Sequence, residues 1–172
     1  MLKFYRLQWS RLSQEHVRKV VIMRLSNCMK YSLLAMAELA DRYPNGFTSV
    51  AELAEKQGMP RLFLEQLLLK LKKSGLTESR RGPEGGYALA KPPEKIRIGD
   101  ILCCVDKIID LRFDFDSGSE VQASKLATYM TCIDLENRLV QLFNSTTLGD
   151  IKARTEEIRQ KEVRKLKHTF SI

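Results

Sequence analysis

Residues 49–89 read SVAELAEKQGMPRLFLEQLLLKLKKSGLTESRRGPEGGYAL, and the order of signals in this stretch decides the fold. Ser49-Val50-Ala51-Glu52 is a capping box: serine at the start of a helix and glutamate three residues on satisfy each other's backbone N–H groups. Val50, Leu53 and Ala54 give that helix an apolar stripe, and Gly58 is free to take the left-handed conformation that stops it. Pro60 suits the first position of the next helix, where its missing N–H has no partner to lose. Leu64, Leu67, Leu68 and Leu71 then recur at helical spacing as far as Gly75. Two helices joined by a short glycine-containing turn make a helix-turn-helix. Leu76-Thr77-Glu78-Ser79-Arg80 follows as a short strand, Arg81-Gly82-Pro83-Glu84-Gly85-Gly86 as a turn, and Tyr87-Ala88-Leu89-Ala90 as the return strand. The fold class is therefore mainly α with a small two-stranded β wing, a winged helix-turn-helix.

On the N-terminal side, Leu33, Met36, Ala37 and Ala40 share one face of a helix predicted from about Asn27 to Arg42, flanked by Tyr31 and Leu34. Tyr43-Pro44-Asn45-Gly46 ends it with turn chemistry. On the C-terminal side, Lys91-Pro92-Pro93 breaks the chain. Ile98-Gly99-Asp100 opens a short apolar helix, to about Ile109, that carries Cys103 and Cys104. Asp110 to Glu120 is acidic and irregular. Val121 to Phe143 reads as a long helix with Leu126, Tyr129, Met130, Ile133, Leu139, Val140 and Phe143 apolar. That wide stripe has no partner in so small a domain, and a second copy of the chain is the economical one, which makes this a dimerisation helix. Thr147-Leu148-Gly149-Asp150 caps a last, highly charged helix to about Lys167. The expected divisions are a basic extension 1–22, the winged helix 23–97, a short helix with an acidic sensor-like loop 98–120, the long helix and closing motif 121–151, and a charged extension 152–172. Met23 offers a second start, with 1–22 then an upstream extension.

The chain has 172 residues, 44% of them hydrophobic and 29% charged, with net charge +8. The two extensions carry +4 each, so the body is neutral overall. Within the body the charge separates: 56–97 holds ten basic and four acidic residues, and 98–150 holds four basic and nine acidic. One half suits a polyanion and the other repels it, although charge alone also describes ordinary solvated faces. Apolar runs such as Leu33-Leu34-Ala35-Met36-Ala37 fall far short of the ~20 residues that a membrane span needs. With no secretory signal pattern either, the expectation is a soluble cytoplasmic protein without membrane contact. Cys28, Cys103, Cys104 and Cys132 form neither a disulfide framework nor a C-x-x-C zinc pattern, and reduced thiols are expected. His16 and His168 lie in the extensions. With no phosphate loop, nucleophile elbow or ligand cluster, an enzyme is not expected.

A helix that reads the major groove needs fork-shaped or short polar groups in its first turns. The helix after Pro60 has Arg61, Glu65 and Gln66 there, with Phe63 suited either to a thymine methyl or to the core. Lys70, Lys72 and Lys73 follow, either along a phosphate backbone or on a solvated face. In the wing, Arg80 and Arg81 precede Gly82, Gly85 and Gly86. Arginine suits the narrow minor groove, and glycine lets a backbone approach it closely. Glu84 at the tip works against binding.

Met23-Arg24-Leu25-Ser26, Tyr31-Ser32-Leu33-Leu34-Ala35-Met36, Leu64-Glu65-Gln66-Leu67, Arg81-Gly82-Pro83-Glu84-Gly85-Gly86-Tyr87-Ala88-Leu89 and Gly99-Asp100-Ile101 resemble the Rrf2 family of bacterial regulators, and Thr147-Leu148-Gly149-Asp150 resembles its closing motif. The resemblance spans about 23–151. It implies a sequence-specific DNA-binding transcription regulator, a homodimer that reads a pseudo-palindromic operator. Glu65 and Gln66, with the residues just before them, would face bases, Arg81 and the wing glycines would meet the minor groove, and Tyr87 is counted with the DNA-binding residues. Many members sense iron–sulfur status, nitric oxide or sulfur supply, so the implied signal is iron, redox or sulfur status. Cluster-binding members use three cysteines between the short and long helices. Here Cys132 resembles the third and the first two are missing, so a conventional three-cysteine 2Fe–2S site is incomplete. Cys103 and Cys104 read as small buried hydrophobes. Carboxylates among Asp110, Asp114, Asp116 and Glu120 are the remaining donors for an unusual cluster, against a plain solvated linker. The second functional reading is a protein-interaction module whose winged helix binds an enzyme partner.

Overall fold

The computed structural model describes residues 25–107 and 122–169, with backbone alone from 165. The expected extension 1–22 and the acidic donors Asp110, Asp114, Asp116 and Glu120 lie outside the described residues. The elements run α1 (Asn27–Arg42), α2 (Val50–Gln57), α3 (Arg61–Lys73), β1 (Thr77–Arg80), β2 (Gly86–Leu89), a 3₁₀ turn (Pro93–Lys95), α4 (Ile98–Val105), α5 (Ala123–Asn144) and α6 (Leu148–Thr169).

Local chemistry sets the boundaries. The Ser26 hydroxyl caps α1 by accepting from the Met29 N–H, and Ser49 caps α2 by accepting from the Glu52 N–H; the Glu52 carboxylate turns to Arg42 and Lys56, so the expected box is formed in one direction only. Gly58 ends α2 in the left-handed conformation. Pro60 is the residue before α3 rather than its first residue, with Arg61 opening the helix. α4 stops at Val105, short of the expected Ile109. α6 starts on a reciprocal box: Thr147 N–H donates to the Asp150 carboxylate at 2.8 Å, and Asp150 N–H to the Thr147 hydroxyl at 3.2 Å.

One core joins these pieces. Met36, Leu39 and Ala40 of α1, Leu53 of α2, the leucines at 64, 67, 68 and 71 of α3, and Tyr87 and Leu89 of β2 bury together with Ile98, Ile101, Leu102 and Val105 of α4 and with Leu148. The expected boundary between 97 and 98 thus falls inside a shared core. The Ile98 N–H donates to Thr146 O at 2.9 Å and the Leu148 N–H to Ile96 O at 2.8 Å, which ties the start of α6 to the start of α4. α6 then lies along α1. The Lys152 ammonium donates to Tyr43 O at 3.1 Å, and Arg159 grips both Asp41 carboxylate oxygens at 2.7 and 2.6 Å. α5 stands apart, with no buried residue and only its Phe143 end packed on the core.

The wing is antiparallel, with Thr77 opposite Leu89, Ser79 opposite Tyr87 and Arg80 opposite Gly86. Thr48 adds a single rung on the outer side of β2, its N–H and C=O both paired with Tyr87 at 2.9 Å.

Candidate nucleic-acid interface

α3 sorts its side chains into three directions. Successive residues are turned by about 100°, and the four buried leucines fix which way the core lies. Leu62, Gln66, Leu69 and Lys73 fall on the opposite, exposed face. Arg61, Glu65 and Lys72 fall on the flank toward the wing, where the Lys72 ammonium donates to the Ser79 hydroxyl of β1 at 2.6 Å. Glu65 is close enough to Tyr87 to add its charge to the burial that pushes the Tyr87 phenol up. Phe63 and Lys70 fall on the other flank.

Helix and wing are therefore braced side by side, and Arg61, Glu65 and Gln66 remain exposed on the helix. The two wing arginines are used differently. Arg80 lies over the Phe47 ring, 4.7 Å from its centroid, and donates to the Glu84 carbonyl at 3.0 Å, so it holds the tip in shape. Arg81 is exposed and has no ion-pair partner among the described residues. Gly82 sits beside it at φ +113 with nothing near its Cβ position, a conformation other residues rarely adopt. Gly86 has a different reason to be glycine: a Cβ there would run into the Thr48 carbonyl, so it allows the Thr48 rung. Gly85 is likewise closed in by its own turn, with the Arg81 carbonyl carbon 2.8 Å from a Cβ position.

Three expected contacts point elsewhere. Phe63 is half-buried edge-on against Tyr31, ring centroids 5.9 Å apart, because its flank packs on α1. Lys70 donates to Val105 O at 3.1 Å, a cation placed at the C-terminal end of α4, where carbonyls lack helical partners. Tyr87 is buried, 8% exposed. Sequence reasoning passed over Leu62, Leu69, Phe47 and the Lys72–Ser79 tie. The leucine pattern itself carried the signal for the first two, since it defines which face is left over.

The cysteines do not assemble a cluster site. Among the described residues no three His, Cys, Asp or Glu side chains form a group able to hold a metal ion. Cys103 is exposed on α4 and Cys104 half-buried, so the expected buried pair is not found; the partial desolvation left at Cys103 still pushes its thiol up, with Asp100 adding to it. Burial also raises Cys104, against a hydrogen bond from Ser74, so neither thiol is poised as a thiolate ligand. Cys132 is half-buried on α5.

A family model described as "Rrf2: Iron-dependent Transcriptional regulator" matches residues 25–154. The chain belongs to the Rrf2 family. Among its relatives, the HTH-type transcriptional regulator IscR of Escherichia coli K12 / DH10B is 35% identical over 129 residues, covering 75% of this chain and 80% of that one. Among solved structures, T. potens IscR superposes with TM-score 0.62 at 32% identity, over 78% of this chain and 90% of that one. CymR, titled the global cysteine regulator of B. subtilis, gives TM-score 0.62 at 28% identity, over 77% and 98%. This Rrf2 protein is a winged-helix, DNA-binding transcription regulator and not an enzyme. The matches do not favour the enzyme-partner module. No described helix is long and apolar enough to cross a membrane.

Proposed function

We propose that this Rrf2 regulator binds a pseudo-palindromic operator as a homodimer in the cytoplasm, joined through α5, with α3 in the major groove and the wing at the minor groove. Arg61, Glu65 and Gln66 are the base-facing polar residues, and Arg81 with Gly82 is the wing contact. The observation that carries the reading is the pairing of exposed Arg61, Glu65 and Gln66 on α3 with an uncommitted Arg81, on two elements tied by Lys72 and Ser79. Lys70, Phe63 and Tyr87 serve the protein's own packing. The signal belongs to the iron, redox or sulfur class. The donor set speaks against a conventional three-cysteine cluster, so a sulfur-status ligand or a partner protein fits better.

Operator titration tests the contacts. Arg81→Ala is expected to weaken binding on every sequence and lower the salt slope by about one. Gln66→Ala is expected to lose discrimination at one base position, by ~1–3 kcal/mol. Variants that bind like the parent would refute the assignment. Visible absorption with iron and sulfide analysis of anaerobically purified protein tests the signal: a colourless protein without sulfide is expected, and a stoichiometric cluster would reverse that choice.

A further inference from the structure

We infer that Leu62 is a specificity-determining residue that seats against the 5-methyl group of a thymine in the major groove. The inference rests on the DNA-binding reading and adds to it a kind of contact that Arg61, Glu65 and Gln66 cannot make. Leu62 is 77% exposed, the most exposed of the large apolar side chains among the described residues. It lies in the first turn of α3. The buried leucines at 64, 67, 68 and 71 direct their side of α3 inward, and rotation by about 100° per residue puts Leu62 almost opposite them, one turn before Gln66. Arg61 and Glu65 stand on one side of it. On the other, Phe63 is committed to Tyr31 and leaves Leu62 as the apolar group of that turn able to meet a base.

The chemistry selects the partner. Helix interiors tolerate leucine anywhere, but exposing one at the reading end of α3 gains nothing within the described chain. The major-groove edges of adenine, guanine and cytosine offer donors and acceptors only, and thymine alone among the four bases adds a methyl group. A leucine between polar readers therefore favours thymine through apolar burial and disfavours bases whose polar edge it would cover without a hydrogen bond.

The test uses the full chain and an operator selected from random duplexes. Each dT of that operator is replaced singly by dU, which removes only the methyl group. The parent protein is expected to show one dT per half-site where dU weakens binding about fourfold, the scale of one buried methyl group. Leu62→Ala and Leu62→Ser are expected to bind the dT and dU duplexes equally and to keep the discrimination due to Gln66. An operator with no methyl-sensitive dT, measured on the parent protein without any variant, overturns Leu62 and leaves the DNA reading standing. So does a dU penalty that persists in both variants. Failure to enrich any sequence overturns the DNA reading and Leu62 with it.

Discussion

α3 and α5 are both leucine-bearing helices, and the chain buries most of the leucines of one and none of the other. In α3 the leucines at 64, 67, 68 and 71 are all buried. In α5 no residue is buried, and Leu126, Met130, Leu135 and Leu142 are exposed at 46%, 63%, 48% and 63%. α3 thus has four leucines packed inside one chain, while Leu62 and Leu69 stay exposed beside Gln66 and Lys73 on its other face, free for an outside partner. α5 buries none of its own, over a 22-residue helix about 33 Å long. Rotation by about 100° per residue puts Leu126 and Met130 on one side of α5 and Leu135 and Leu142 on the other; the Leu126–Met130 side belongs to the apolar stripe read from the sequence, the kind of surface that marks an interaction. The proposed partners differ accordingly: a polyanion for the polar groups of α3 and the apolar stripe of a second copy for α5.

The contrast breaks first at the core. Leu68→Ala empties space in the middle of α3's buried side, and a loss of ~2–5 kcal/mol is expected in denaturant unfolding. A loss under 1 kcal/mol would mean that α3 is not the centre of the core. Next in size is the effect on α5. Leu126→Glu combined with Met130→Glu is expected to leave the unfolding of the winged helix close to the parent's, to halve the mass in sedimentation, and to weaken operator binding about a hundredfold or more as the two half-sites uncouple. An unchanged mass would remove the dimer from α5. Lys70→Met sharpens the comparison on α3 itself: because Lys70 is engaged with Val105, the salt slope of DNA binding is expected to stay at the parent value, unlike that of Arg81→Ala.

The smallest effect is at the surface. The Arg159 hydrogen bonds hold the Asp41 carboxyl below its ordinary value, burial opposing them. A carboxylate lowered in the folded state contributes stability above its unfolded pKa and loses it as the pH falls through the folded one. Asp41→Asn is therefore expected to melt slightly below the parent at neutral pH, with the gap closing in acid. A gap that is constant with pH would assign the effect to packing.

Much of this was legible in local sequence. The capping pairs at Ser49 and Thr147, the leucine period of α3, and the glycine-rich turn between two short strands act over a few residues. They therefore fixed element type and order from the chain alone. The Arg81-to-Tyr87 motif identified the wing for the same reason. What individual side chains do was less legible. Gly86 reads as a groove contact until Thr48, far back in the chain, is found against it. Arg80 and Arg81 are adjacent and alike in sequence, and the positions of Phe47 and of the Glu84 carbonyl separate a brace from an uncommitted cation.

The sequence by itself determined the winged helix, its order of elements and its membership among DNA-binding regulators, because periodicity, caps and turns are short-range consequences of residue type. The tertiary structure alone decided which flank of α3 each residue occupies, and so which of them face outward. Burial depends on neighbours from α1, α4 and the wing that arrive from distant parts of the chain, and no local pattern states where they will stand.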